Sequence, residues 1–230
     1  MQVTPIKTSL FRANENLLEF IISHLPALEE QSVLVVTSKI VALSQGRVAN
    51  LADKEKVIAD ESIETIPTEF GTLTLTAAGW CINAGVDESN SQGQLILLPK
   101  QPLVAAEELR VKLIEHFNIQ NLGIIITDTR TVPLRKATIG RAIAIAGFNP
   151  LKSYIGAPDL YGRKSRMTQS NIADALAASA VLTMGEGDEQ TPLAVVSDAP
   201  IEFTLQTQAD ESFLSMSPED DIYKPLFTRK

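Results

Sequence analysis

Apolar positions along this chain repeat with two different periods, and the alternation between them outlines its elements. Helical spacing runs through ENLLEFIISHL (15–25), where Asn14 and Asn16 are candidate caps. It returns in PLVAAEELRVKLIEHF (102–117), which sets Leu103, Ala106, Leu109, Leu113 and Phe117 on one face and predicts an amphipathic helix. A third helix is predicted over TQSNIADALAASAVLTMG (168–185), from a capping Thr168 to a stop at Gly185. Between these lie short β-branched runs: SVLVVTS (32–38), LGIIIT (122–127) and PLAVVS (192–197), each the length of a buried strand. TLTLTAA (72–78) and CINAG (81–85) read as two strands about a tight turn at Gly79–Trp80, and NLADKEKVIADES (50–62) as an exposed helical stretch. With no repeat and no linker, the 230 residues are expected to form one mixed α/β unit of the α+β class, ending in an acidic tail from about 209 to 230.

Charge and composition narrow the function classes. A net charge of −8 argues against a nucleic-acid or anionic-membrane surface. No apolar run approaches the roughly 20 residues that span a bilayer, and the start lacks a signal-peptide pattern, so a cytoplasmic protein is expected. The single Cys81 excludes an internal disulfide framework. Only His24 and His116 are present, both near predicted helix ends, which removes histidine triads and zinc hydrolase sites from consideration. Chemistry would run on Asp, Glu, Lys, Arg and hydroxyl groups, which suit a hard cation such as magnesium or manganese.

Four polar islands stand where apolar elements end: NAGVDESN (83–90), TDT (127–129), DLYGR (159–163) and MGEGDEQTP (184–192). Any one alone reads as turn punctuation. Together, Asp87, Asp128 and Glu186 could supply carboxylates to a divalent ion bound to a nucleotide, with the Thr129 hydroxyl as a further ligand. The glycines beside Glu186 would let backbone N–H groups approach phosphate. Neither of the two commonest nucleotide motifs, the P-loop and G-x-G-x-x-G, is present.

In order, VVTSKIVALSQGRV, CINAGVDESN, IIITDT, AIAIAGFNPLKSYIGAPDLYGR, ADALAASAVLTMGEG and PLAVV resemble the coenzyme F-420-0 gamma-glutamyl ligase family, over roughly residues 30–197. The resemblance implies an unusual α+β fold and an intertwined homodimer. It also implies a ligase that uses GTP and divalent metal (Mg2+ or Mn2+, two ions) to add L-glutamate to the terminal carboxylate of a deazaflavin precursor. Carried over by position, Asp87 and Asp128 match metal carboxylates, Thr129 a hydroxyl ligand and Glu186 a ligand of the second ion. Ser38, Lys39, Asn90 and the turn Met184, Gly185, Glu186, Gly187, Asp188 match nucleotide contacts. Arg135 and Arg163 are the candidate catalytic cations, since a guanidinium pairs bidentately with carboxylate or phosphate.

The chain also departs from the family. Members commonly read D-T-x-G-R-P-W-R where this sequence has DTRTVPLR (128–135), a nucleotide-contacting lysine falls at Leu43, and the stretch between Arg47 and Phe70 is shorter. Three readings therefore stand: the F-420-0 ligase, a related glutamate ligase for another acceptor such as a folate-type pterin glutamate, and a non-catalytic member.

Overall fold

A computed structural model describes residues 1–205, 214–217 and 219–227. In chain order the elements are β1 (Gln2–Ile6), α1 (Leu17–His24), β2 (Ser32–Thr37), α2 (Ser38–Ser44), β3 (Val48–Asn50), α3 (Lys54–Asp60), β4 (Glu64–Thr68), β5 (Gly71–Thr76) and β6 (Gly79–Ile82). Then come β7 (Gln94–Ile96), α4 (Pro102–Phe117), β8 (Leu122–Thr131), β9 (Thr138–Ala146), β10 (Leu151–Ser153), β11 (Gln169–Asn171), α5 (Ile172–Met184), β12 (Leu193–Ser197) and a short α6 (Lys224–Phe227).

The centre is a five-stranded mixed sheet in the order β1-β12-β2-β8-β9, in which only β2 and β8 run parallel. Alternation divides its side chains between two faces. Leu34, Val36, Ile124 and Ile126 pack against α1 and α4, while Val33, Val35, Ile125 and Ile145 pack against α5. Covered on both faces, β2 and β8 have no use for polar alternation, which is why they read as continuous apolar runs. The architecture is α+β, with smaller sheets β3-β7, β4-β5-β6 and β10-β11 at the periphery.

Local chemistry moves several predicted boundaries. Asn16 is the cap of α1, its side chain accepting from Leu18 and Glu19 N–H, whereas Asn14 sits in the left-handed region. Helix α5 starts after Asn171, not Thr168. The Asn171 side chain accepts the Asp174 N–H at 2.9 Å, and Gln169–Asn171 is held as a strand by β10. The turn of the peripheral hairpin falls at Ala77–Ala78, because Gly79 and Trp80 belong to β6; Asn83–Gly85, expected as strand, is a 3-10 turn. The polar stretch 50–62 is helical only from Leu51 to Asp60, as a 3-10 turn followed by α3. His24 and His116 lie in the last turns of α1 and α4, as expected. The acidic-tail expectation falls partly outside the described residues, at 209–213, 218 and 228–230.

The largest correction concerns TDT. The strand does not stop before Asp128 but continues to Thr131, paired with β9 beyond a register shift between Ile126 and Thr127. On β9 the pairing skips Ile143, a bulge that re-aims the side chains beyond it. At the bulge the Ala142 N–H turns to Asp174 Oδ1 of α5 at 2.9 Å.

Candidate functional site

At the carboxyl ends of the parallel pair β2 and β8 lies a cavity of about 480 Å³. Three further segments close over it. The turn 83–90 follows β6, the turn 185–192 joins α5 to β12, and Thr8–Phe11 follows β1. Because β12 pairs antiparallel to β2 (Leu193 with Val36), the turn before β12 must cross the end of β2.

Of the residues singled out in the sequence, Ser38, Lys39, Asp87, Asn90, Asp128, Thr129, Met184, Gly185, Glu186, Gly187 and Asp188 border this cavity. The exceptions are the two arginines. Arg135 is exposed in the β8–β9 turn and Arg163 is exposed in the excursion between β10 and β11, and neither borders the cavity of this chain. The DLYGR island as a whole lies in that excursion, where the Asp159 carboxylate accepts its own turn's Tyr161 and Arg163 N–H groups.

The cavity lining is chemically mixed. Leu10, Phe11, Leu43 and Leu98 supply apolar surface, and the carboxylates, Lys39 and the glycine turn supply polar groups. The turn positions are locally built. Ala84 and Gly85 take positive φ, and the Asp87 backbone pairs with Ile96 through two hydrogen bonds of 2.9 and 2.8 Å, which fixes the start of the acidic turn. Asn90 Nδ2 donates to the Gly187 carbonyl at 3.0 Å, tying two of the islands together. Gly185 has φ +81 and packs against the Glu189 carboxylate so closely that a Cβ would clash with it.

Charge among the polar groups is unevenly compensated. Lys39 Nζ lies 2.6 Å from Asp87 Oδ2 and donates to Ser89 O and Oγ at 3.0 and 3.2 Å. Burial pushes the Asp87 carboxyl up, but the bonds from Lys39 and Ser89 outweigh it and hold the group below its ordinary value. Asp128 and Glu186 go the other way. Burial raises Asp128 despite the nearby Arg141 charge, and burial together with the Asp128 charge raises Glu186. Arg141 lies directly across from Asp128 on β9 and is 4% exposed. Their nearest charged atoms are 3.8 Å apart, an ion pair too long for a hydrogen bond, and Asp128 Oδ2, Arg141 Nε and Arg141 Nη2 have no hydrogen-bond partner.

The donor set suits a divalent cation shared with an anionic ligand. The carboxylates of Asp87, Asp128 and Glu186 and the Thr129 hydroxyl border one cavity, and burial makes two of those carboxyls, Asp128 and Glu186, hold protons more tightly. Among the described residues no group of three or more His, Cys, Asp or Glu side chains is close enough to form a protein-only cage. Magnesium-type ions are commonly held by one or two carboxylates, with phosphate and water completing the shell. Arg141 was missed in the sequence. Its only signal is a lone basic residue within the apolar run GRAIAIAG, which could have marked a buried ion pair.

Fold and site thus define an α+β protein with a cleft lined by carboxylates, a lysine and apolar side chains at the ends of two parallel strands. The family described as F420-0:Gamma-glutamyl ligase matches residues 55–198. Proteins named coenzyme F420:L-glutamate ligase are similar over almost their whole length. One from Methanococcus maripaludis (strain C6) is 34% identical over 97% of each chain. That from Archaeoglobus fulgidus is 34% identical over 100% of this chain and 98% of its own, and that from Methanocaldococcus jannaschii is 30% identical over 97% of each. The chain belongs to the F420-0:Gamma-glutamyl ligase family.

Proposed function

We propose that this chain is a glutamate ligase that extends the terminal carboxylate of coenzyme F-420-0, using GTP to activate it as an acyl phosphate. The observation that carries the reading is the convergence of Lys39, Asp87, Asp128, Thr129, Glu186 and the glycine turn on one cavity, in a chain whose relatives are named coenzyme F420:L-glutamate ligase. A carboxylate does not condense with an amine unaided, and phosphoryl transfer between two anions needs alignment and charge neutralisation more than a protein nucleophile. That fits a site with no histidine or cysteine at its rim.

In this reading the γ-phosphoryl group passes from GTP to the acceptor carboxylate, leaving GDP and an acyl phosphate. The glutamate amine then attacks the acyl carbon, the C–O bond to phosphate breaks, and the amine proton is lost as the amide forms. Asp87, Asp128, Glu186 and the Thr129 hydroxyl would hold Mg2+ or Mn2+. When bound, such an ion neutralises the oxygens of the transferring phosphate and keeps them in line. Lys39 exchanges Asp87 for phosphate, the backbone of Gly185–Gly187 approaches the phosphate chain, and the Leu10–Phe11–Leu43–Leu98 surface receives a flat ring.

Two copies of the chain form the working unit. The excursion between β10 and β11 leaves Leu160, Tyr161 and Met167 exposed, and it carries Arg163 away from its own cavity. A partner's cavity is where Arg163 would meet substrate.

A competition assay tests the reading. The chain is given glutamate, manganese and either GTP or ATP, with the deazaflavin precursor and a folate monoglutamate offered together, and product masses are read. Glutamate on the deazaflavin with GTP is expected. Product on the folate alone would overturn the acceptor, and turnover with ATP alone would overturn the nucleotide.

A further inference from the structure

We infer that Arg141 is a positioning residue, which sets the orientation of Asp128 from behind and touches no ligand itself. The inference rests on the ligase reading only in giving Asp128 a cation to hold. The two residues are cross-strand partners on β8 and β9, immediately beyond the bulge that re-aims this end of the pair. Asp128 borders the cavity; Arg141 does not. The guanidinium is held from a second direction, because Nη1 donates to the Ala78 carbonyl in the β5–β6 turn at 2.5 Å.

A guanidinium this deeply buried normally satisfies most of its five donors, since each unpaired polar group in a dry interior is costly. Here Nε and Nη2 have no partner, and among the described residues the only carboxylate within ion-pair distance is Asp128, whose sealed Oδ2 is likewise unpartnered. Packing alone does not account for such a group, as an apolar side chain of similar length would fill the space without the desolvation. What the charge adds is a fixed field on one side of Asp128. It draws Oδ2 inward and leaves the rest of the carboxylate toward the cavity. In the low dielectric of this site an attraction across 3.8 Å is sufficient without a hydrogen bond.

The inference makes a test of sign. A bystander cation near an ion site repels a divalent ion, so removing it tightens binding. Removing a positioning cation loosens binding, because the carboxylate it oriented becomes free to turn away. The probe is Mn2+ alone, titrated into the full-length protein and followed by calorimetry or electron paramagnetic resonance. Arg141→Met is expected to weaken Mn2+ binding by about tenfold or more, the range seen when an outer partner of a metal ligand is lost. Arg141→Lys keeps the charge and is expected to recover most of it. In turnover, kcat should fall while the nucleotide KM moves less than about twofold, since Arg141 orients a group that acts in the transition state. Combined with Asp128→Asn, Arg141→Met is expected to add nothing further, because it acts through that carboxylate.

Tighter or unchanged Mn2+ binding in Arg141→Met, with Asp128→Asn weakened, overturns this inference and leaves the ligase reading standing. Equal losses in the Met and Lys variants, or additive losses with Asp128→Asn, assign Arg141 to packing and also overturn it. If Arg141→Met loses its cooperative thermal transition, Arg141→Lys and its double variant with Asp128→Asn decide by the same additivity. Wild-type Mn2+ binding in Asp128→Asn removes that carboxylate from the ion site and overturns this inference, while the ligase reading is decided separately by the competition assay.

Discussion

Asp128 gains its character from burial, from two residues remote from it in the sequence and from a strand bulge. Arg141 supplies charge without a hydrogen bond, Asp87 adds a like charge, and the bulge opposite Ile126–Thr127 aims the side chain. Asp128→Asn is nearly isosteric and should preserve the fold while removing a charged ligand. Metal-dependent nucleotide turnover is expected to fall roughly 100-fold or more. Turnover within about threefold of wild type would exclude Asp128 from the ion shell. Asp87→Asn should behave similarly, and the double variant should lose little beyond either single one, because ligands of one ion act as a unit. Steady-state kinetics on the three variants checks both statements.

At the scale of elements, two junctions tie the central sheet to the segments packed on it. The loop after α1 reaches the start of β8 through Glu30, whose carboxylate accepts the Gln120 and Asn121 N–H groups at 2.8 and 2.6 Å. The Gln120 bond is the main reason the Glu30 carboxyl lies below its ordinary value, outweighing burial. A carboxyl depressed by folding binds its proton more weakly in the native state than in the unfolded chain. Its stabilisation is therefore complete above the unfolded-state value and is lost as pH falls through the folded one. Glu30→Gln is expected to be less stable than wild type at neutral pH, with the gap closing as pH drops below the carboxylate range. Urea melts at stepped pH values would show it, and a gap independent of pH would remove the ionic contribution.

The second junction is the seat of α5 on β9. A Cβ on Gly140 would lie 2.6 Å from Val181 Cβ and 2.9 Å from the Ala177 carbonyl, so Gly140→Ala must push the helix away. The expected loss is about 1–3 kcal/mol by chemical denaturation, as for other overpacked interiors. Because α5 leads into the turn 185–192, nucleotide affinity should weaken with it.

For the whole molecule, the proposed dimer gives the exposed excursion between β10 and β11 a role. Light scattering at micromolar concentration is expected to give about twice the 25.0 kDa chain mass. A clean monomer would leave Leu160 and Tyr161, almost fully exposed, without cover, and would count against Arg163 in any shared site. Among the described residues no helix is long and apolar enough to cross a membrane.

The sequence by itself determined the core and the cavity's polar residues. Buried strands and amphipathic helices are dictated by local period, so β2, β8, β12, α1, α4 and most of α5 were legible. The islands NAGVDESN, TDT and MGEGDEQTP were legible because carboxylates and glycines at the ends of apolar runs have few structural uses, and their order matched a known family. Tertiary structure alone decided that β8 passes through Asp128 rather than stopping before it, since strand length there depends on a distant partner, β9. It alone showed that Arg135 and Arg163 lie off the cavity of their own chain. It also brought Arg141 behind Asp128, a pairing set by sheet register across a turn, which no local pattern of residues encodes.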